Sequence, residues 1–241
     1  KNLDKMVWSN LSENPNAIHI LEKNLDKVDW YMLSQNPNAI HILENNLDKV
    51  RWHWLSTNPN AIHILEKNLN KVNWDWLSFN PNAIHILEKN LDKVDWDMLS
   101  ENPNAIHILE NNFDKLDWEN LYVNLNAIHI LEKNFDKLDE DEDCWYWLSS
   151  NPNAIPILEK NLDKLDQDCW DKLSRNPNAI HILENNMNKV HLDNLSRNPN
   201  AIHILEKNLD KLDQECWYWL STNPNIFTYD YESMKNSMYK E

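Results

Sequence analysis

A nine-residue motif recurs along almost the whole chain, most often with a spacing of 22 residues. The motif reads Asn-Pro-Asn-Ala-Ile-His-Ile-Leu-Glu, and three of the later spacings are longer by five, three and three residues. A fixed period of this length is the signature of a stacked array, in which each repeat buries its apolar face against its neighbours. The leading asparagines of the copies are Asn14, Asn36, Asn58, Asn80, Asn102, Asn124, Asn151, Asn176, Asn198 and Asn223.

The copy that begins at Asn14 predicts two short helices. Its proline fits the first helical position and Asn14 is a suitable N-cap, so we expect a helix A over residues 15–23. Asn24 then follows, and asparagine tolerates the left-handed conformation that often ends a helix. Asp29 can cap a helix B over residues 30–35, which the next Asn-Pro must end. Helices this short are marginal alone, so stacking must stabilise them.

Both helices have one apolar and one polar face when their side chains are placed at about 100° per residue. The sequence therefore predicts an all-α fold, an α-solenoid of about ten stacked helix–turn–helix repeats of 22–27 residues. The array is expected over residues 1–225 and a C-terminal capping segment over residues 226–241. A leucine-rich repeat is the alternative, although the asparagine falls one residue too late for its strand motif.

The composition argues against several classes of function. The chain contains no glycine, on which phosphate loops and dinucleotide fingerprints depend. Thirty-nine acidic residues against 23 basic ones give a net charge of −16, which opposes nucleic-acid binding and suits a basic partner. No segment is apolar enough to cross a membrane, and the carboxylates repeat without a distinct pair. We expect no enzyme, no cofactor, no nucleic acid, no membrane and no small-molecule substrate.

A tryptophan opens helix B in nearly every copy, and we call this series the tryptophan ladder. Its regular place on the apolar face predicts that it fills the core between the two layers of helices. The ladder consists of Trp8, Trp30, Trp52, Trp74, Trp96, Trp118, Trp145, Trp170 and Trp217, with Leu192 in one copy.

A histidine recurs in the middle of the polar face of helix A. Neighbouring histidines should lie ~9 Å apart, too far to share a zinc ion bound at ~2.0–2.1 Å. A solvated stripe is favoured over a metal site, and a pH-sensitive surface stays open. Glu22, Lys27 and their equivalents are expected to form charge ladders between repeats. The histidines are His19, His41, His63, His85, His107, His129, His181 and His203, with Pro156 in one copy.

Three cysteines precede ladder tryptophans, and they occur only in the three lengthened repeats. An odd number of distant cysteines favours a reducing compartment over a disulfide framework. Acidic residues precede Cys144, Cys169 and Cys216, which predicts an added turn at the start of helix B and a small buried thiol. A redox or metal role is the alternative, and no Cys-x-x-Cys spacing supports it.

The outward positions of helix B vary between copies, whereas helix A is nearly constant. Aromatic residues and methionine on a polar face favour a protein-binding surface, because Trp, Tyr and Arg anchor protein interfaces. The alternative is neutral drift, with Trp54 and Trp76 merely packing on the next repeat. The predicted partner-binding residues are Tyr31, Met32, His53, Trp54, Asp75, Trp76, Phe79, Asp97, Met98, Tyr146, Trp147, Tyr218 and Trp219.

The repeat unit resembles the short repeats of proteins that giant DNA viruses of amoebae encode in many copies. The resemblance rests on Leu-Ser-x-Asn-Pro-Asn-Ala-Ile-His-Ile-Leu-Glu-x-Asn-Leu-Asp-Lys-Val-Asp-Trp and on the ending Asn-Pro-Asn-Ile-Phe-Thr-Tyr-Asp-Tyr-Glu. It implies a viral origin and a place in the host cytoplasm or the virion, and it transfers no catalytic residues. Two functions follow as expectations: a scaffold that binds a host or viral protein, or a structural protein that self-assembles.

Overall fold

The computed structural model describes residues 3–134, 136 and 143–226, and these residues form α-helices and short 3-10 helices without any strand. The chain divides into two compact units, Lys1–Ala127 and Ile128–Glu241. In each unit two kinds of short helix alternate, so the predicted α-solenoid is confirmed and the leucine-rich alternative is wrong. The predicted capping segment, residues 226–241, lies outside the described residues apart from Ile226.

The two kinds of helix have nearly constant bounds. The A helices are Ile18–Leu21, Ile40–Glu44, Ile62–Glu66, Ile84–Glu88, Ile106–Glu110, Ile128–Lys133, Ile155–Glu159, Ile180–Asn185 and Ile202–Glu206. The B helices are Trp8–Glu13, Trp30–Gln35, Trp52–Leu55, Trp74–Phe79, Trp96–Glu101, Trp118–Val123, Cys144–Ser150, Gln167–Arg175, Leu192–Ser196 and Gln214–Thr222. Single 3-10 turns span Leu3–Lys5, Phe113–Lys115, Leu162–Lys164 and Leu209–Lys211.

The A helix is shorter than predicted, because the Asn-Pro-Asn segment forms a turn. Asn14 Oδ1 accepts a hydrogen bond from the Asn16 N–H at 2.9 Å, and the Asn14 carbonyl oxygen accepts one from the Ala17 N–H at 3.1 Å. The α-helix begins only at Ile18 and ends at Leu21, in place of the predicted residues 15–23. Asparagine side chains favour such local turns over helix interiors.

The asparagine after the A helix does not adopt the predicted left-handed conformation. Asn112 and Asn186 have φ angles of −133° and −134°. The side chain caps the end of the helix instead: Asn24 Nδ2 donates to the Ile20 carbonyl oxygen of the last turn at 2.9 Å. The same bond is made by Asn46, Asn68, Asn90, Asn112, Asn134, Asn161, Asn186 and Asn208.

The predicted ends of the B helix are confirmed. Asp29 Oδ1 accepts hydrogen bonds from the N–H groups of Tyr31 at 2.9 Å and Met32 at 3.3 Å. Asn36, before the next proline, has the extended angles φ −69° and ψ 113°, and the helix stops there. Capping by aspartate satisfies amide groups that the first turn cannot pair internally.

The core consists of small and branched residues, and the tryptophan ladder mostly borders it. Leu33 of a B helix and Leu43 of the following A helix are fully buried, as is Ala39, which precedes that A helix. Among the ladder residues only Trp145 and Trp170 are buried, at 6% and 2% exposure. The core prediction is therefore wrong for Trp217, which is 47% exposed, and holds only in part for the half-buried rings Trp8, Trp30, Trp52, Trp74, Trp96 and Trp118.

The leading asparagine of each motif has a role that the sequence did not reveal. Asn58 is fully buried, and its Nδ2 donates to the carbonyl oxygens of Ser34 at 3.0 Å and Asn36 at 3.1 Å in the preceding repeat. Each such asparagine therefore links the Asn-Pro-Asn turn of its own repeat to the preceding repeat by hydrogen bonds. The same pair of bonds is made by Asn80, Asn102, Asn124, Asn176, Asn198 and Asn223.

A buried serine completes the link between successive B helices. Ser34 Oγ donates to the Trp30 carbonyl oxygen at 2.7 Å and accepts the Arg51 N–H of the next repeat at 3.0 Å. Successive B helices consequently pack side by side, as Trp74–Phe79 does on Trp96–Glu101. This arrangement places equivalent outward residues of neighbouring repeats beside one another.

Candidate interaction surface

The two residues after each ladder tryptophan point away from the core, because Leu and Ser on the other side of the B helix are buried. In the copies from Trp30 to Trp118 the first of these positions is exposed and the second is half-buried. Their side chains therefore form a continuous strip over adjacent helices. The first position holds Tyr31, His53, Asp75, Asp97 and Glu119, and the second holds Met32, Trp54, Trp76, Met98 and Asn120.

Four rings of this strip form one cluster, which we call the aromatic patch: Tyr31, His53, Trp54 and Trp76. The ring centroids of Tyr31 and Trp54 lie 4.8 Å apart, and those of His53 and Trp76 lie 5.4 Å apart. Trp54 and Trp76 are stacked at 6.0 Å with an interplanar angle of 29°. The patch thus joins three successive repeats through side chains that all retain exposed surface.

A cleft of about 520 Å³ lies beside the aromatic patch. Tyr31, His53 and Trp54 line it together with Arg51, whose side chain is exposed. The cleft therefore offers aromatic faces and one positive charge in the same place. The sequence reasoning did not single out Arg51, because it sits at the capping position before the ladder tryptophan.

Acidic side chains continue the strip beyond the aromatic patch, and we call Asp75, Asp97 and Glu119 the acidic row. All three are exposed, and within the described ranges none forms an ion pair. The pKa of Asp97 is raised by partial burial and by the negative charges of Asp117 and Asp95. Negative charge therefore accumulates at this end of the strip.

The lysines that the sequence would offer as counter-ions to these acids lie elsewhere. Lys93 Nζ lies 4.9 Å from the centroid of the Trp74 ring, and Lys115 Nζ lies 4.7 Å from that of Trp96. These are cation–π contacts with the preceding repeat. The same contact is made by Lys27 on Trp8, Lys49 on Trp30 and Lys71 on Trp52.

Cationic side chains occupy the corresponding strip of the Ile128–Glu241 unit. Lys172 Nζ lies 4.7 Å from the centroid of the Tyr146 ring, and Arg197 Cζ lies 3.3 Å from that of Trp219. Arg175 Nε donates to Asn194 Oδ1 at 2.8 Å. These contacts link neighbouring repeats, so several variable side chains of this unit are engaged within the array.

The other predicted residues lie on the outward sides of their own B helices, outside the aromatic patch. Phe79 is 38% exposed, Trp147 is 36% exposed and Tyr218 is 62% exposed. In the second unit the predicted aromatic residues pair with their neighbour in the same helix. The ring centroids of Tyr146 and Trp147 lie 5.1 Å apart, and those of Tyr218 and Trp219 lie 4.9 Å apart. The structure therefore brings only part of the predicted set into one cluster across repeats.

The histidines of the A helices pair with glutamates of the preceding repeat. His85 Nε2 lies 2.7 Å from Glu66 Oε1, and His203 Nε2 lies 2.9 Å from Glu184 Oε1. The same contact is made by the pairs His41–Glu22, His63–Glu44, His107–Glu88 and His181–Glu159. The expected ladder between these glutamates and the lysines equivalent to Lys27 is wrong for Lys27, Lys49, Lys71, Lys93 and Lys115, which lie over tryptophan rings. Glu132 and Glu184 lie 4.0 Å from two other lysines, Lys160 and Lys207.

Over the described residues, no three His, Cys, Asp or Glu side chains come together as a metal site would require.

Two of the three lengthened repeats contain the predicted added turn, in the B helices Gln167–Arg175 and Gln214–Thr222, and the predicted buried thiol is present in all three. The Cys169 N–H donates to Asp166 Oδ1 at 2.9 Å, which starts the B helix Gln167–Arg175 one turn early. Burial of the thiol, together with its interaction with the Asp166 carboxylate, raises the pKa of Cys169 to about 12.

Cys216 repeats this arrangement with Asp213, and burial raises the pKa of its thiol as well. Cys144 is fully buried. The acids at positions 139–142, which were expected to precede the helix at Cys144, lie outside the described residues. Thiols that are buried and held protonated are structural, because reactivity requires the thiolate.

In the part of the chain that the structure describes, no helix combines the length and the apolar character that a bilayer crossing needs. No protein-family model, no curated protein and no solved structure matches this chain.

Proposed function

We propose that the protein is a non-enzymatic scaffold that binds another protein through the B-helix strip of the Lys1–Ala127 unit. The aromatic patch supports this proposal most directly. Trp and Tyr anchor protein interfaces because they bury a large area at a low entropic cost. Four aromatic rings in mutual contact, with Tyr31 still 44% exposed, provide such an anchor.

The fold does not need aromatic residues at these positions. Asn120 occupies the place of Trp54 and Trp76 two repeats further on, and its B helix has the same capping bond, from the Asn120 N–H to Asp117 at 2.8 Å. Met98 occupies the equivalent place in the repeat between those of Trp76 and Asn120. Because the backbone pairing is kept without rings, the aromatic patch is best explained by a ligand and not by stacking alone.

A host or viral protein is the partner we expect. The resemblance of the repeat unit to repeats of giant DNA viruses supports this expectation, as does the acidic character of the chain. Repeat arrays commonly present one variable face on a constant framework. The constant A helices and the variable B helices of this chain fit that division.

Affinity capture with matched variants tests the proposal. The variant Trp54→Ser with Trp76→Ser removes the stacked pair, and the control Trp147→Ser with Tyr218→Ser removes two exposed rings of the other unit. We expect the first variant to lose the captured protein and the control to keep it, with unchanged helicity for both by circular dichroism. Capture that survives in the first variant would contradict the proposal.

A further inference from the structure

We propose that the partner contributes an extended cationic segment in the polyproline II conformation, with a Lys or Arg at every third residue. The cationic side chains would lie on the acidic row, and the neighbouring proline-rich part would lie on the aromatic patch. This inference rests on the proposed function and specifies the chemistry of the ligand.

Charge supports a cationic ligand. Asp75, Asp97 and Glu119 are exposed, and inside the described ranges their carboxylates have no ion-pair partner. The lysines of the same repeats hold their ammonium groups over ladder tryptophans. A bound cation would offset the negative charges of Asp117 and Asp95 that contribute to the raised pKa of Asp97. Complementary charge also speeds association and selects the partner.

Spacing supports the conformation. The acidic row occupies equivalent positions on three B helices that pack in sequence, Trp74–Phe79, Trp96–Glu101 and Trp118–Val123. Packed helices are ~8–10 Å apart. A polyproline II segment rises ~3.1 Å per residue with three residues per turn, so its same-face side chains recur every ~9.3 Å. Residues on one face of a β-strand recur every ~6.6–6.8 Å, so a ligand in the strand conformation would not match the spacing of the B helices.

The aromatic patch fixes the orientation of the segment. Polyproline II ligands dock into grooves lined by aromatic rings, and the Tyr31–Trp54 cleft is one. Arg51 lines this cleft and would repel cations there. The prolines of the segment therefore lie over Tyr31 and Trp54, and its cations extend toward Asp97 and Glu119.

Two synthetic peptides of equal composition test the inference by calorimetric titration at low ionic strength. One repeats Arg-Pro-Pro three times and ends in three further prolines, and the other carries the same three arginines in a row at one end, followed by nine prolines. We expect the regular peptide to bind the wild-type protein about tenfold more tightly, because only its arginines match the acidic row. Equal affinity of the two peptides, or binding by neither, would overturn the inference.

A matched pair of triple variants locates the binding. Asp75→Asn with Asp97→Asn and Glu119→Gln neutralises the acidic row and should weaken the regular peptide about tenfold. The control neutralises three exposed acids away from the strip, Asp26→Asn, Asp48→Asn and Asp92→Asn, and should leave the affinity within about twofold. An equal loss in both variants would mean general attraction and would overturn the inference.

The outcome also separates this inference from the proposed function. Suppose that neither peptide binds, while the double variant Trp54→Ser with Trp76→Ser still loses the captured partner. The scaffold function then stands, and the inference of a cationic ligand is wrong. If both experiments fail, both proposals are wrong.

Discussion

The side-chain amide of Asn102 donates a hydrogen bond to the main-chain carbonyl oxygen of Asn80, its equivalent in the preceding repeat, at 3.1 Å. The same amide donates to the Ser78 carbonyl oxygen at 2.8 Å, and Asn102 is fully buried. The link is polar, it is satisfied, and it recurs along both units. It explains why this chain keeps asparagine even in the copy where Leu125 replaces the proline.

Asn102→Ala should lower the free energy of unfolding by about 2–4 kcal/mol, because it removes two buried hydrogen bonds to the preceding repeat and leaves the Asn104 N–H without its acceptor. Asn104→Ala is the matched control: Asn104 is exposed, and its side chain makes one bond, to the Pro81 carbonyl oxygen at 2.9 Å. We expect about 0.5–1 kcal/mol for the control. Urea unfolding followed by circular dichroism measures both, and equal losses would contradict the assigned role of Asn102.

The tryptophan ladder should show a graded cost of truncation. Trp170 is 2% exposed, so Trp170→Ala should destabilise the protein by about 3–5 kcal/mol. Trp96 is half-buried beneath Lys115, so Trp96→Ala should cost about half as much. The same urea titration compares the two variants. A larger loss for Trp96 would mean that the half-buried rings hold the array together.

The buried thiols should be unreactive in the folded protein. Burial of the thiol and its interaction with the Asp166 carboxylate raise the pKa of Cys169 to about 12, so little thiolate exists near neutral pH. A disulfide reagent should label Cys169 and Cys216 only after urea is added. Fast labelling of the folded protein at pH 8 would contradict this account.

The same thiol should make stability fall at high pH. The folded pKa of Cys169 lies above the ~8.5 of a free thiol, so its stabilising effect is complete below pH ~8.5. It is then lost as the pH rises toward about 12, because the unfolded chain ionises first. Cys169→Ala should show a shallower decline than the wild-type protein when unfolding is measured across this range.

The sequence was sufficient for the fold class and for the B helices, because their signals are local. Asp29 caps within three residues, and the Asn-Pro that follows ends the helix at Asn36. The A helix was misjudged because Asn14 can form a turn or a cap, and the sequence does not show which one it forms.

Contacts between repeats were the part that the sequence could not specify. Lys71 and Trp52 are 19 residues apart, and only the stacking geometry places the ammonium group over the ring. For the same reason the sequence identified the outward positions of helix B but could not separate the aromatic patch from the engaged side chains. Tyr31 and Trp54 cluster near an open cleft, whereas Trp219 is covered by Arg197.

We expect the aromatic patch to bind a different molecule and not a second copy of this chain. Light scattering over about a hundredfold range of protein concentration tests it directly, because self-association depends on concentration. The account predicts a constant mass near 28.9 kDa for the wild-type protein and for Trp54→Ser with Trp76→Ser. A wild-type mass that rises with concentration, and that returns to 28.9 kDa in the variant, would contradict it and make the patch a self-assembly interface.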